Sequence, residues 1–341
     1  MPWYVFDSLR DKALVAAQEK YVRKIVEETS DFDNIYYEIC NEPAGDAKGS
    51  DVTTAEVDRW LEHMARLVRE ELDKRGRKHL VFGAQAFNAG KLIQTFEKTF
   101  TGTWDAVNVH PSEYVEFDSR KYDMGGFMAK DLTLPAVRDF CVAIYPKPKP
   151  VVLDEDNAAS MYRDPAGWTI HRKRAWASVL SGAHYDYIDF SVTVGAEAGT
   201  RESSAALRSW MKYLSAFIHS FDFIHAKPDR AWIAELPRHV QASGLVVDNQ
   251  DYVAYLADAR ELTEQGAGEL IRGQISFKLP EGSYVARFYS PTTGEYSIGV
   301  PATGVLDLPA FRDDLVIRVQ RRGETAGVEK QGKRRSSERL R

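Results

Sequence analysis

The stretch Ile35-Tyr36-Tyr37-Glu38-Ile39-Cys40-Asn41-Glu42-Pro43 decides the fold class. It reads as a buried strand whose polar Asn-Glu-Pro falls where the strand ends. Before it, Leu14, Ala17, Tyr21, Val22 and Ile25 recur at helical spacing between Leu9 and Glu28. After it, Thr53 and Glu56 form a capping box for a helix with Val57, Trp60, Leu61, Met64, Leu67, Val68 and Leu72 on one face. The alternation continues with a strand at His79 to Phe82, a short helix near Lys91 to Phe100, and the strand Ala106 to Val109 running into His110-Pro111. A helix over Leu134 to Ile144 is stopped by Pro146-Lys-Pro-Lys-Pro150, which feeds the strand Val151 to Leu153. Helix Trp168 to Leu180, strand Tyr185 to Val192 and helix Ser203 to Phe221 complete the series. Such alternation predicts a parallel sheet covered by helices. About five strand–helix units are present, whereas a closed barrel needs eight. The expectation is an α/β fold, a (β/α)8 TIM barrel lacking about its first three strands.

Past Lys227-Pro228 helical periodicity stops, and short β-rich runs alternate with turns such as Pro280-Glu-Gly282 and Pro291-Thr-Thr-Gly294. This predicts a small all-β domain, a sandwich. The expected organisation is 1–226 partial barrel, 227–320 accessory β-sandwich and 321–341 basic disordered tail. The tail reads as solvated, with phosphate or membrane binding as the alternative.

With 341 residues, 44% of them hydrophobic, the chain can bury a sizeable core. A net charge of -5 gives no reason to expect nucleic acid as a partner. Cys40 and Cys141 lack metal-ligand spacing and sit in apolar runs, so they read as buried free thiols. No segment is long enough to span a membrane, and the N-terminus lacks a basic-then-apolar secretory pattern.

The chemistry is expected at the C-terminal ends of the parallel strands. Glu42 closes one strand, where desolvation should favour its acid form, as a proton donor requires; Asn-Glu-Pro could equally be only turn chemistry. Glu155 closes another, Pro150-Val-Val-Leu-Asp-Glu-Asp-Asn157, although an acidic loop after a strand is usually solvated surface. Because side chains alternate along a strand, Asp154 and Asp156 should share a direction and Glu155 take the other. Two carboxyls at the ends of different strands could flank a sugar, one protonated and one ionised.

Asn41-Glu42-Pro43 after a fourth strand, with Glu155 ending a seventh, resembles glycoside hydrolase clan A, the cellulase-like retaining enzymes. The resemblance implies Glu42 as acid/base, Glu155 as nucleophile and Asn41 as a ligand of the sugar 2-hydroxyl. It also implies substrate contacts for His110 and Tyr114 on the intervening strand, although His110 alone would read as a structural histidine. Tyr185-Asp-Tyr-Ile-Asp-Phe-Ser191, Tyr252-Val-Ala-Tyr255 and Tyr284-Val-Ala-Arg-Phe-Tyr-Ser-Pro-Thr-Thr-Gly-Glu295 look like bacterial relatives that add a C-terminal putative collagen-binding-type domain. Nothing in these residues explains collagen binding itself. Phe190 reads as core or as a stacking platform, and Trp3 and Trp168 are alternative platforms. Met1-Pro-Trp-Tyr4 looks like the loop after a third strand, which implies a longer protein, suspected to be secreted or periplasmic.

The function expected is a retaining glycoside hydrolase acting on the O-glycosidic bonds of a β-linked glycan, with an oligo- or polysaccharide as partner. The alternative is a non-catalytic carbohydrate-binding protein. No metal or cofactor is implied, since carboxyls and water suffice. A third reading, a metal-dependent hydrolase using Asp154, Glu155, Asp156 and His110, would be argued against by insensitivity to chelators.

Overall fold

A computed structural model describes residues 5–91, 94–95, 99–110, 114–125, 131–156, 168–187 and 201–322. It is a mixed α/β fold. Five parallel strands form one sheet in chain order: β1 (Tyr37–Glu38), β2 (Val81–Gly83), β3 (Ala106–Val109), β4 (Val151–Asp156) and β5 (His184–Tyr187). One face of the sheet is covered by α1 (Lys12–Thr29), α2 (Thr54–Lys74) and α3 (Leu134–Ile144), around a core that includes Trp60, Leu61, Val107, Val109, Phe140 and Leu153.

Local signals explain the helix starts. Asp11 accepts from the N–H groups of Ala13 and Leu14 at the head of α1. At α2 both bonds of the Thr53–Glu56 capping box form. Thr53→Ala is expected to cost about 1 kcal/mol, read as a lower urea midpoint at unchanged slope. The helix expected near Lys91 to Phe100 is not what the described residues show. Gln94–Thr95 is a strand, paired with Tyr114–Phe117, and Thr99–Thr101 is a single 3₁₀ turn. A run rich in threonine holds a helix poorly, and the sheet edge offers its backbone partners instead. The strand Tyr114–Phe117 turns back tightly as Arg120–Asp123 through Asp118 and Ser119, both at positive φ (48° and 61°).

The β-rich region holds a six-stranded sheet. Its order is Lys227–Pro228, β6 (Val240–Val247), β7 (Asp251–Asp258), β9 (Asp314–Arg321), β8 (Tyr284–Tyr289) and Val300–Pro301. A second sheet comprises Ile233–Glu235, Gln274–Phe277 and Val305–Asp307. All of β7 is buried, because each face of the larger sheet is covered. Tyr252, Ala254 and Leu256 pack towards the smaller sheet on Trp232, Ile275 and Phe277. Val253, Tyr255 and Ala257 pack towards α4 (Thr169–Val179) and α5 (Arg201–Ile218), against Trp176, Leu214 and Phe217. The α/β and β-rich regions therefore share a core. Strand β9 runs to Arg321, and the Arg322 N–H donates to Ser283, so the tail cannot begin at 321; residues 323–341 lie outside the described part.

Helix α4 joins the two regions by charge. Arg172, Lys173 and Arg174 are 2%, 1% and 0% exposed. Arg172 Nε donates to Asp314 Oδ2 at 2.8 Å, Lys173 Nζ to the Asp258 carbonyl at 3.2 Å, and Arg174 Nε to Asp156 Oδ2 at 2.5 Å. Buried charges persist only when paired in this way. Burial opposes ionisation of Asp156, yet Arg174 holds its carboxyl below the ordinary carboxylate range. Its ion pair therefore contributes above the unfolded-state pKa and is lost as pH falls through the lower folded value. Cys141 is buried and Cys40 half-buried, and burial pushes both thiols up to about 12.

Candidate active site

The C-terminal ends of β1, β3, β4 and β5 deliver Glu42, His110, Asp154 and Asp186 to one edge of the sheet. Glu42 sits just beyond β1 with φ +48°, a left-handed conformation costly for a residue with a Cβ. The loop it opens is held down firmly. Asp46 Oδ2 accepts from the N–H and hydroxyl of Thr54 and from the Asn88 amide. At Gly45 a Cβ would lie 2.4 Å from the Thr54 nitrogen, so only glycine lets the loop approach α2 so closely.

His110 lies between two of the carboxylates. Its Nδ1 is 3.4 Å from Glu42 Oε1, and its Nε2 is 3.9 Å from Asp154 Oδ2. The His110 side chain is 18% exposed and that of Glu42 62% exposed. The described residues thus leave Glu42 in water, which corrects the desolvation expected for it: the neighbouring strand ends do not close over the carboxyl.

The three acids of β4 also depart from expectation. Tyr185 pairs with Leu153, but Tyr187 pairs with Asp156, so Asp186 faces two residues, Asp154 and Glu155. The extra residue is a β-bulge and breaks the alternation. Asp154 consequently lies with His110 and Asp186 on one face, while Asp156 lies with Arg174 and Tyr185 on the other. They do not share a direction. Burial, then the proximity of Asp154, push the Asp186 carboxyl above its usual range. Tyr36, stacked on Phe82 at 4.2 Å, has its phenol raised by burial and by Asp154, Glu38 and Asp186. Glu38 and Asp186 escaped sequence reasoning; the alternation in Tyr37-Glu38 and Tyr185-Asp186-Tyr187 was the signal that could have found them.

Of the other expected site residues, Asn41 is exposed beside Glu42. Tyr114 is half-buried at the start of its strand, with Lys121 Nζ 3.5 Å from its ring centroid. Trp168 is 2% exposed, edge-on to His171 at 5.9 Å, so it is core and not the open platform expected. It precedes α4, whose full burial draws the ring inward. The side chain of Glu155, and Trp3 and Phe190 entirely, lie outside the described residues. A cleft of about 810 Å³ lies elsewhere, between Arg138 and Val142 of α3 and the Pro228–Leu236 segment.

Matching of this architecture to solved structures finds a glycoside hydrolase family 5 protein from Bacteroides vulgatus. The TM-score is 0.60 at 17% identity, over 91% of this chain and 68% of that one. A second glycoside hydrolase aligns with TM-score 0.58 and 18% identity, over 90% and 69% of the two chains. The fold is similar to that of these two glycoside hydrolases. No protein-family model and no curated protein matches by sequence. In parallel α/β sheets ligands bind outside the C-terminal ends of the strands. Glu42, His110 and Asp154 occupy that edge here.

Proposed function

We propose that this chain carries the fourth to eighth strands of a retaining (β/α)8 glycoside hydrolase, with β1 as the fourth and β5 as the eighth. The supporting observation is the shared edge: His110 spans the gap between Glu42 and the end of β4, the strand that carries Glu155. In the described sheet β1 and β5 each have one strand neighbour, and three more strands between them would close eight. On this reading residues 1–226 are catalytic, 227–322 an accessory β-sandwich resting on α4 and α5, and the residues past 322 a basic tail.

The chemistry is a double displacement. The Glu155 carboxylate attacks the anomeric carbon of a β-linked glycan while the Glu42 carboxyl protonates the departing glycosidic oxygen. The C–O bond breaks and a glycosyl ester forms on Glu155. Glu42, now a carboxylate, takes a proton from water, whose oxygen displaces Glu155 and restores both groups. Asn41 binds the 2-hydroxyl, and His110, Tyr114 and Phe190 contact the sugar. A sugar over the edge would also exclude water from Glu42, supplying the desolvation that its own strand does not.

The test is product stereochemistry, followed by proton NMR during hydrolysis of an aryl β-glycoside by the protein with a complete barrel. Retention is expected, and a crystal structure should place the two carboxyls about 5–5.5 Å apart. An inverted product, or carboxyls about 6.5–9.5 Å apart, would overturn the nucleophile assignment. Glycan binding without hydrolysis, unaffected by Glu42→Gln and Glu155→Gln, would make the protein a carbohydrate-binding module.

A further inference from the structure

Glu38 on β1, His110 beyond β3 and Asp154 on β4 each present one donor atom, and all these atoms lie within 4.8 Å of one another. We propose that Glu38, His110 and Asp154 form a binding site for a divalent transition metal of the zinc class, at the base of the strand-end cluster. This inference does not depend on the glycosidase reading.

Four observations meet here. A zinc ion bonds nitrogen and oxygen at about 2.0–2.2 Å, which sets tetrahedral donors roughly 3.4 Å apart. His110 Nε2 and Asp154 Oδ2 stand at 3.9 Å, and small side-chain rotations would draw the whole set in. Second, Asn108 is 1% exposed, yet among the described residues neither its Nδ2 nor its Oδ1 has a hydrogen-bond partner. Val107 and Val109 enter the core beneath the helices, so alternation turns Asn108 to the same face as His110, one step below the cluster. A buried amide left unsatisfied is rare and costly, and a metal-bound water would satisfy it. Third, Asp186 comes within hydrogen-bonding contact of Asp154. A further carboxylate beside the donors adds negative charge that favours a cation there. Fourth, Glu42 lies against Nδ1 of His110, leaving Nε2 to face Asp154. A carboxylate on one imidazole nitrogen and a metal on the other is the usual outer-shell arrangement at zinc.

The donor set selects the ion. One imidazole with carboxylates suits zinc-class metals, whereas magnesium and calcium favour all-oxygen sets. Bound there, the ion would fix the tautomer of His110 and with it the rotamer of Glu42.

The experiment is a titration of the chelator-stripped chain with Zn2+ by calorimetry, beside thermal unfolding with and without Zn2+. One equivalent should bind and raise Tm. Asp154→Asn and Glu38→Gln should each weaken binding at least about tenfold, the usual scale for loss of a group supporting a metal site. Co2+ is the second probe and needs no variant: a stoichiometric site of low coordination number gives a visible band far stronger than the hydrated ion. A wild-type chain that leaves Co2+ with the spectrum of the free ion would overturn the proposal. So would Zn2+ binding equally well to both folded variants, which would locate the ion elsewhere. None of these readouts uses a sugar, so failure here and failure of the glycosidase reading are told apart.

Discussion

Glu42→Gln should lower turnover of an unactivated β-glycoside on the order of 10²–10⁴-fold, the usual contribution of a positioned general acid–base. That corresponds to about 3–5 kcal/mol of transition-state stabilisation. Glutamine keeps the size of the side chain and its strained φ of +48° but has no proton to give the departing oxygen. The loss should shrink for an aryl glycoside whose leaving group departs without protonation, because only the water-activating half-reaction then suffers. Glu155→Gly should be inactive towards both substrates and recover with azide, giving a glycosyl azide of inverted configuration. A deficit independent of the leaving group would refute the acid role of Glu42. Azide rescue of the Glu42 variant, with a retained product, would agree with Glu42 as the acid–base and leave the nucleophile elsewhere.

Asp314→Ala should destabilise the fold by about 3–5 kcal/mol. The Asp314 side chain is fully buried and accepts from Arg172 Nε at 2.8 Å and from the Tyr255 hydroxyl at 3.0 Å. Its removal strands the Arg172 guanidinium, 2% exposed, whose remaining carboxylate contact is Asp313 at 3.6 Å, with Trp210 4.3 Å beneath it. Urea unfolding of the two proteins would read the effect. The pair Arg172→Met with Asp314→Leu should recover much of the loss, since removing both charges also removes the desolvation penalty. A single-variant loss under about 1 kcal/mol would mean that water reaches the guanidinium and that the two regions are less tightly joined than the shared core implies. Because Arg174, two residues along α4, holds Asp156 at the end of β4, loosening this helix should also disturb the strand that carries Glu155.

Local chemistry was enough for much of this molecule. The capping box at Thr53 and Glu56, helix Leu134–Ile144 and strand Ala106–Val109 stand where short-range periodicity and turn residues place them. The same local reading made the first two-thirds of the chain a parallel sheet and put Glu42 and His110 at its C-terminal edge. Those features depend on residues within a turn or two of each other, so a linear sequence displays them. Other features were not legible. Thr-Ile-His-Arg-Lys-Arg at 169–174 looks like a solvated helix face, because its counter-charges, Asp314 and Asp156, come from other elements. The bulge that turns Asp154 and Asp156 to opposite faces exists only in the register between β4 and β5. Trp168 became core because the helix after it is buried on every side. Periodicity and capping are settled along the chain, whereas the pairing of charges and the register of strands are settled between segments, by which arrangement buries the apolar faces without leaving a charge alone.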